Sequence, residues 1–192
     1  MRYEVEQKFP VADLADLEQR LRDLGATISP PQTEADLYFA HPARDFRQTD
    51  EALRIRRKGE KNFVTYKGPK IDQTTKTRHE IDLPVPPGAE AASHWQALFE
   101  ALGFQPVAEV SKSRRKAMVN WQNREVEGSL DEVEGVGSYF ELELIAETSD
   151  LESAKSCLAS LAEKLALRQS ERRSYLELLQ KKGTGAYTGN SR

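Results

Sequence analysis

Charge falls on every second residue in one stretch of this chain after another, and this alternation constrains the fold more than any other feature. The first instance is Tyr3-Glu4-Val5-Glu6-Gln7-Lys8-Phe9. A period of two is the period of a β-strand, so Glu4, Glu6 and Lys8 share one face. Two carboxylates about 7 Å apart along a strand, with an ammonium one step on, could hold a divalent cation and an anion together. The same parity recurs in Arg54 and Arg56, in Arg78, Glu80 and Asp82, in Lys112, Arg114 and Lys116, in Glu127, Ser129 and Asp131, and in Glu141 and Glu143. Apolar residues occupy the opposite faces.

Those apolar faces need partners, and the chain supplies amphipathic helices. Leu14, Leu17, Leu21 and Leu24 predict a helix closed by Gly25, and Trp95, Leu98, Phe99 and Leu102 predict another closed by Gly103. Leu151, Ala154, Leu158, Leu161 and Leu165 mark a third over 151–167, and 174–181 reads as a short last helix. Strands are expected over 35–40, 52–58, 62–67, 76–83, 124–133 and 138–146. The run 107–121 is long enough for one bent strand or two. The loop 41–51, rich in Pro, Arg and Asp, is expected to be mobile, and 183–192 reads as a disordered tail behind a single domain over 1–182.

Bulk charge points to neither nucleic acid nor a membrane surface, because the formal net charge is only −3. An anion site must therefore be a local cluster. No apolar run approaches the ~18 residues of a membrane span, and no signal-peptide layout is visible, so a cytoplasmic location is expected. The single cysteine, Cys157, excludes an internal disulfide and reads as a small core residue. His41, His79 and His94 form no metal spacing.

The economical fold class is α+β, an antiparallel sheet with its apolar face on the helices. Two arrangements of its charged face stay open. One is an open sheet whose charges are solvated. The other is a sheet curled shut, so that the charges line a tunnel. There they are costly unless they bind one another, metal ions or a polyanion. The grouping of the charges bears on the choice, since Glu-x-Glu pairs stand at both ends of the chain with Arg-x-Arg and Lys-x-Arg pairs between. Carboxylate clusters suit hard cations such as Mg2+ or Mn2+, and guanidinium and ammonium groups suit phosphates. Together they describe a site for a metal-bound polyphosphate, most naturally a triphosphate.

Glu4-Val5-Glu6-Gln7-Lys8 resembles the N-terminal E-x-E-x-K signature of the CYTH superfamily, the triphosphate tunnel metalloenzymes, which joins class IV adenylyl cyclases to thiamine triphosphatases. Further matches follow in order: Asp36-Leu37-Tyr38-Phe39, Leu53-Arg54-Ile55-Arg56, Tyr66-Lys67-Gly68-Pro69, Arg78-His79-Glu80, Lys112-Ser113-Arg114, the segment from Leu130 to Gly137, Glu141-Leu142-Glu143, and Arg173-Ser174-Tyr175. The resemblance implies an eight-stranded antiparallel β-barrel, a tunnel with a charged lumen and helices packed outside. It implies that Glu4, Glu6, Asp131, Glu141 and Glu143 hold metal, two Mg2+ or Mn2+ ions. Arg54, Arg56, Lys67, Arg78, Lys112 and Arg114 would then hold the triphosphate, with Lys8 near the reacting phosphate as the catalytic group. Arg57, Glu80, Asp82 and Lys116 are read instead as salt-bridge partners, and Tyr38 and Tyr175 as packing residues.

The resemblance implies a small-molecule triphosphate partner, namely ATP, thiamine triphosphate or tripolyphosphate. The layout from Asp131 to Gly137 and the Arg173-Ser174-Tyr175 ending place class IV adenylyl cyclase first, a thiamine or inorganic triphosphatase second, and a non-catalytic polyphosphate- or nucleotide-binding module third. Retention of both Glu-x-Glu pairs favours an enzyme. Many proteins of this type pair as homodimers, and nothing in the sequence marks an interface. Glu4→Gln and Glu143→Gln are each expected to abolish metal-dependent turnover while circular dichroism stays native. Unchanged activity in both would remove the metal assignment.

Overall fold

The alternating stretches fold as strands of one antiparallel sheet, and the computed structural model describes residues 2–71 and 75–183 of it. Of the tail expected over 183–192, residues 184–192 lie outside the described residues. In chain order the elements are β1 (Arg2–Pro10), α1 (Leu14–Asp23), β2 (Thr27–Ile28), β3 (Gln32–Ala40), α2 (Phe46–Thr49), β4 (Ala52–Lys58), β5 (Lys61–Lys67) and β6 (Glu80–Val85). Then come α3 (Ala89–Ala101), β7 (Gln105–Trp121), β8 (Arg124–Val133), β9 (Gly137–Glu147), α4 (Leu151–Lys164) and α5 (Tyr175–Lys181). The long run is one 17-residue strand, β7. The loop after β3 carries the short helix α2, capped by Asp45, whose carboxylate accepts from the Arg47 amide.

Eight strands follow the order β1-β9-β8-β7-β3-β4-β5-β6, with β2 added alongside β7. The sheet curls until its ends meet. β6 itself does not pair with β1. The expected strand over 76–83 becomes regular only at Glu80, and the residues before it turn across to β1 instead. There the backbones of Glu4 and Arg78 exchange hydrogen bonds of 3.3 Å, and the Lys76 amide donates to the Glu6 carbonyl at 2.9 Å. This closure satisfies backbone groups of Glu4, Glu6, Lys76 and Arg78 that a free edge would leave unpaired.

Outside the curl, α1 and α4 bury Leu17, Leu21, Leu158, Leu161 and Leu165 against Val5, Val119, Val126, Phe140 and Leu142. Asp13 caps α1 by accepting from the amides of Ala15 and Asp16, and Gly25 follows its end at a φ of 80°. α3 packs Ala92 and Phe99 on Leu37, Phe39, Leu53 and Ile55. Its expected stripe is only partly used, because Leu98 and Leu102 are 46% and 60% exposed. Ala92 and Phe99, seven residues apart, are the positions that face the sheet.

α5 is placed differently. Its Tyr175, Leu178 and Leu179 pack on Tyr38, Val110 and Val133, which share parity with the lumen residues Asp36, Lys112 and Asp131. This helix therefore closes one end of the curled sheet. Ser174 fixes its start with a capping box, bonding the Glu177 amide while Glu177 bonds back.

Gly128 lies under the Phe140 ring, where an added Cβ would stand 2.7 Å from the ring edge. Gly128→Ala is expected to destabilise the fold by about 1–3 kcal/mol through overpacking. A urea melt reads this directly, and an unchanged midpoint would show that the ring can move aside.

Candidate functional site

Inside the curl the charged faces enclose a cavity of about 490 Å3. Its wall includes Glu4, Glu6, Arg54, Arg56, Lys67, Arg78, Lys112, Arg114, Glu141 and Glu143. The strand register explains the gathering. β1 pairs Glu6 with Glu143 and Lys8 with Glu141, β3 pairs Asp36 with Arg56, and β7 pairs Arg114 with Asp131. Residues far apart in the chain thus become cross-strand neighbours.

The cations form a paired lattice. Arg56 grips Asp36 with two bonds of 2.6 and 2.8 Å, Arg54 reaches the same carboxylate at 3.3 Å, and Lys112 lies 2.9 Å from it. Lys112 also meets Glu34 at 3.2 Å. On the opposite wall Lys67 bridges Glu4 at 3.1 Å and Glu80 at 2.5 Å. Arg78 instead donates to the backbone carbonyls of Asp50 and Gly68, each at 3.3 Å.

Electrostatics divides the carboxylates into two sets. Burial would raise Asp36, but Arg54, Arg56 and Lys112 hold it well below the usual range. Glu34, likewise opposed by burial, is held at about 2 by Arg56, Arg114 and Lys112. These two acids belong to the cations, and so does Glu141, which burial would raise but Arg114, Lys76 and Lys8 hold well below its ordinary range. At the other end, burial followed by the charges of Glu4, Glu127 and Glu6 pushes Glu143 up to about 8. Burial and the neighbouring Glu80 also raise Glu4, against the pull of Lys67. Glu143 makes no hydrogen bond or ion pair with a described residue. Crowded carboxylates with raised pKa values are a donor set that a hard cation would relieve. No three of them already converge as a metal cluster among the described residues.

Two sequence-predicted residues stand off the wall. Asp131 is 0% exposed, and both its oxygens are occupied: Oδ1 accepts from Arg114 Nε at 2.6 Å, while Oδ2 accepts from Arg114 Nη2 and from the Tyr175 hydroxyl, the latter at 2.8 Å. Lys8, 1% exposed, donates its ammonium to the Arg173 carbonyl and lies 4.0 Å from the centre of the Tyr175 ring.

Lys76 occupies the wall position, 2.6 Å from Glu6 and 3.9 Å from Glu141, and sequence reasoning did not single it out. The signal was present, because Lys76 continues the parity of Arg78, Glu80 and Asp82 backwards by one step. Glu80, Asp82 and Lys116 also line the cavity, each with a partner: Lys67 for Glu80, the Thr65 hydroxyl for Asp82 and Glu127 for Lys116. Tyr38 and Tyr175 are buried as expected of packing residues, yet both hydroxyls are engaged, with Arg54 and Asp131.

Removing one member of so buried a lattice leaves its partners uncompensated. Asp36→Asn, which strips the charge facing Arg54, Arg56 and Lys112, is expected to cost about 3–5 kcal/mol in chemical denaturation. Glu34 adds an acid-sensitive component. Its folded-state pKa lies below the ordinary 4.5, so its contribution is present above pH 4.5 and is lost as pH falls toward about 2. Glu34→Gln should therefore flatten the stability profile in that window. A mutant profile parallel to that of the wild type would refute the assignment.

Comparison with known proteins accords with this geometry. Residues 2–175 match the CYTH domain family. A Methanocaldococcus jannaschii protein named "Putative adenylate cyclase" is 39% identical over 180 residues, covering 91% of this chain and 97% of that protein. The solved structure of a Pyrococcus horikoshii OT3 protein is 38% identical, with a TM-score of 0.81, covering 93% of this chain and 99% of that one. A Hippeastrum protein described as having "a dominant triphophatase activity" shares the fold at 18% identity and a TM-score of 0.64, covering 94% and 96%. By the match along nearly its whole length, the chain belongs to the CYTH domain family.

Proposed function

We propose that this chain is a divalent-cation-dependent enzyme that binds an organic triphosphate in its tunnel, with conversion of ATP to cyclic AMP and pyrophosphate as the leading reaction. The observation that carries the reading is that two cavities of unlike lining adjoin across shared wall residues. The charged one of about 490 Å3 shares Tyr38, Ala52, Arg78 and Ser174 with a second of about 730 Å3. Phe39, His41, Phe46, Val107 and Leu176 contribute to the lining of the second. Tripolyphosphate alone would need only the first. A triphosphate carrying an aromatic heterocycle would use both, with phosphates among the cations and the ring on apolar surface. The name of the relative from M. jannaschii, at 39% identity, supports the cyclase reading.

In this reading Arg54, Arg56, Lys67, Arg78, Lys112 and Arg114 exchange part of their pairing with carboxylates for phosphate oxygens, and Lys76 joins them. Their positions are set by the lattice before the ligand arrives, so little reorganisation is needed as charge develops. Glu4, Glu6, Glu141 and Glu143 are the carboxylates that would hold Mg2+ or Mn2+, with Asp131 behind them. A cation there would neutralise phosphate charge and lower the pKa of the attacking hydroxyl. Lys8 stands behind Glu6 and Glu141; burial and then the charge of Lys76 lower its ammonium to about 7, so it can exchange a proton near neutrality. Cyclisation forms the bond from the ribose 3′ oxygen to the α-phosphorus and breaks the bond to the bridging oxygen, releasing pyrophosphate as the 3′ proton is lost.

Hydrolysis of the terminal phosphate is the second reading, because the same cations serve it and the Hippeastrum protein has this fold. Purified protein with Mg2+ or Mn2+ and, separately, ATP, thiamine triphosphate and tripolyphosphate distinguishes the two. Cyclic AMP with pyrophosphate is the expected outcome, abolished by EDTA. Orthophosphate would replace cyclisation with hydrolysis, and tight binding without either product would sink the enzyme reading.

A further inference from the structure

The C-terminal segment reaches the charged lattice at two points, the Arg173 carbonyl on Lys8 and the Tyr175 hydroxyl on Asp131. α5 closes one end of the curl, and its first residue, Tyr175, is buried there with its hydroxyl 2.8 Å from Asp131 Oδ2. Asp131, held from the other side, receives Arg114 Nε and Nη2 as a two-pronged fork. Arg114 Nη2 also bonds Glu141 at 2.5 Å. Nε and Nη2 are thereby committed, and Nη1 makes no hydrogen bond with a described residue. Nη1 is the donor of this wall residue that remains for a ligand.

Without a third contact, a carboxylate gripped only by one guanidinium can turn with it about the side-chain torsions of both. The Tyr175 hydroxyl removes that freedom, because it binds an oxygen already used by the fork. The hydroxyl is the donor in this pair, since a carboxylate can only accept. Tyr175 is itself pinned. Its backbone follows the capping serine, its ring packs edge-on to Tyr139 at 5.4 Å, and Lys8 lies over its face. The chain just before it is tied to β1, since the Glu171 amide donates to the Lys8 carbonyl at 2.6 Å.

We propose that Tyr175 is a positioning residue of the anion site: its hydroxyl fixes Asp131, and Asp131 fixes Arg114 so that Nη1 is presented to a phosphate oxygen. This rests on the reading of the cavity as a triphosphate site, and it makes the C-terminal helix part of that site rather than a cover.

The test uses the full chain, titrated calorimetrically with tripolyphosphate in the presence of Mg2+. Tyr175→Phe keeps the ring beneath Lys8 and removes only the hydroxyl. Affinity is expected to fall roughly tenfold or more, the loss associated with one hydrogen bond to a charged group. The discriminating measurement is the same substitution made in an Arg114→Ala background. A residue acting through Arg114 should there change affinity less than about twofold, since the two effects are coupled. An equal loss in both backgrounds, or none in the otherwise wild-type chain, overturns the proposal. If Tyr175→Phe fails to fold, Asp131→Asn carries the same cycle with the same outcomes. Failure of the wild-type chain to bind tripolyphosphate would instead overturn the triphosphate reading itself.

Discussion

Burial of ionised groups is the constraint on which the rest of the structure depends. Placing arginines, lysines and carboxylates inside a curled sheet removes them from water, and each unpaired ion there would cost several kcal/mol. The chain meets this by register. Arg54, Arg56 and Lys112 converge on Asp36, Arg114 on Asp131 and Glu141, Lys67 on Glu4 and Glu80, and Lys76 on Glu6. Arg78 and Lys8 are satisfied by backbone carbonyls instead. On the proposed reading such a lattice would be a preformed receptor for a polyanion, because a phosphate oxygen could replace a carboxylate oxygen without moving the cation far.

The lattice is uneven, and the unevenness has a direction. Around Asp36 and Glu34 cations dominate, and both acids are held far below their ordinary pKa values. Glu4 and Glu143 are raised instead, by burial first and then by neighbouring carboxylates, with Lys67 and Lys116 pulling the other way. On the proposed reading the first group would serve anions and the second a cation, although Glu4, Glu6 and Glu141 are each paired with a cation here. A metal-bound polyphosphate has the same polarity. The second cavity, beyond Tyr38 and Arg78, extends toward α2 and α5, where Phe46 and Leu176 offer apolar surface among charged residues, and on the proposed reading a ring would lie there.

The C-terminal helix departs from the pattern of outer helices. α1, α3 and α4 answer the apolar outer face, as periodicity anticipates. α5 has similar apolar spacing, yet Leu178 and Leu179 sit against lumen-side Val110 and Val133. Nothing in a short amphipathic pattern distinguishes an inner from an outer partner. Tyr175 looked like a packing residue for the same reason: its ring packs, and only its hydroxyl reveals a second role.

The alternation of charge determined the strands, the face each side chain takes and the residue types of the lumen, because side-chain direction in a strand is set by covalent geometry alone. Both Glu-x-Glu pairs and Arg54, Arg56, Lys67, Arg78, Lys112 and Arg114 were legible that way and do line the cavity. Only the tertiary structure decided how far each strand slides against its neighbours, and with it which charges meet. Register committed Asp131 to Arg114 and Tyr175, placed Lys8 behind the wall with Lys76 on it, and set Glu127 beside Glu143. Pairing across strands is a long-range property, settled by the packing of the outer apolar face and the closure at Glu4 and Arg78, and no local spacing encodes it.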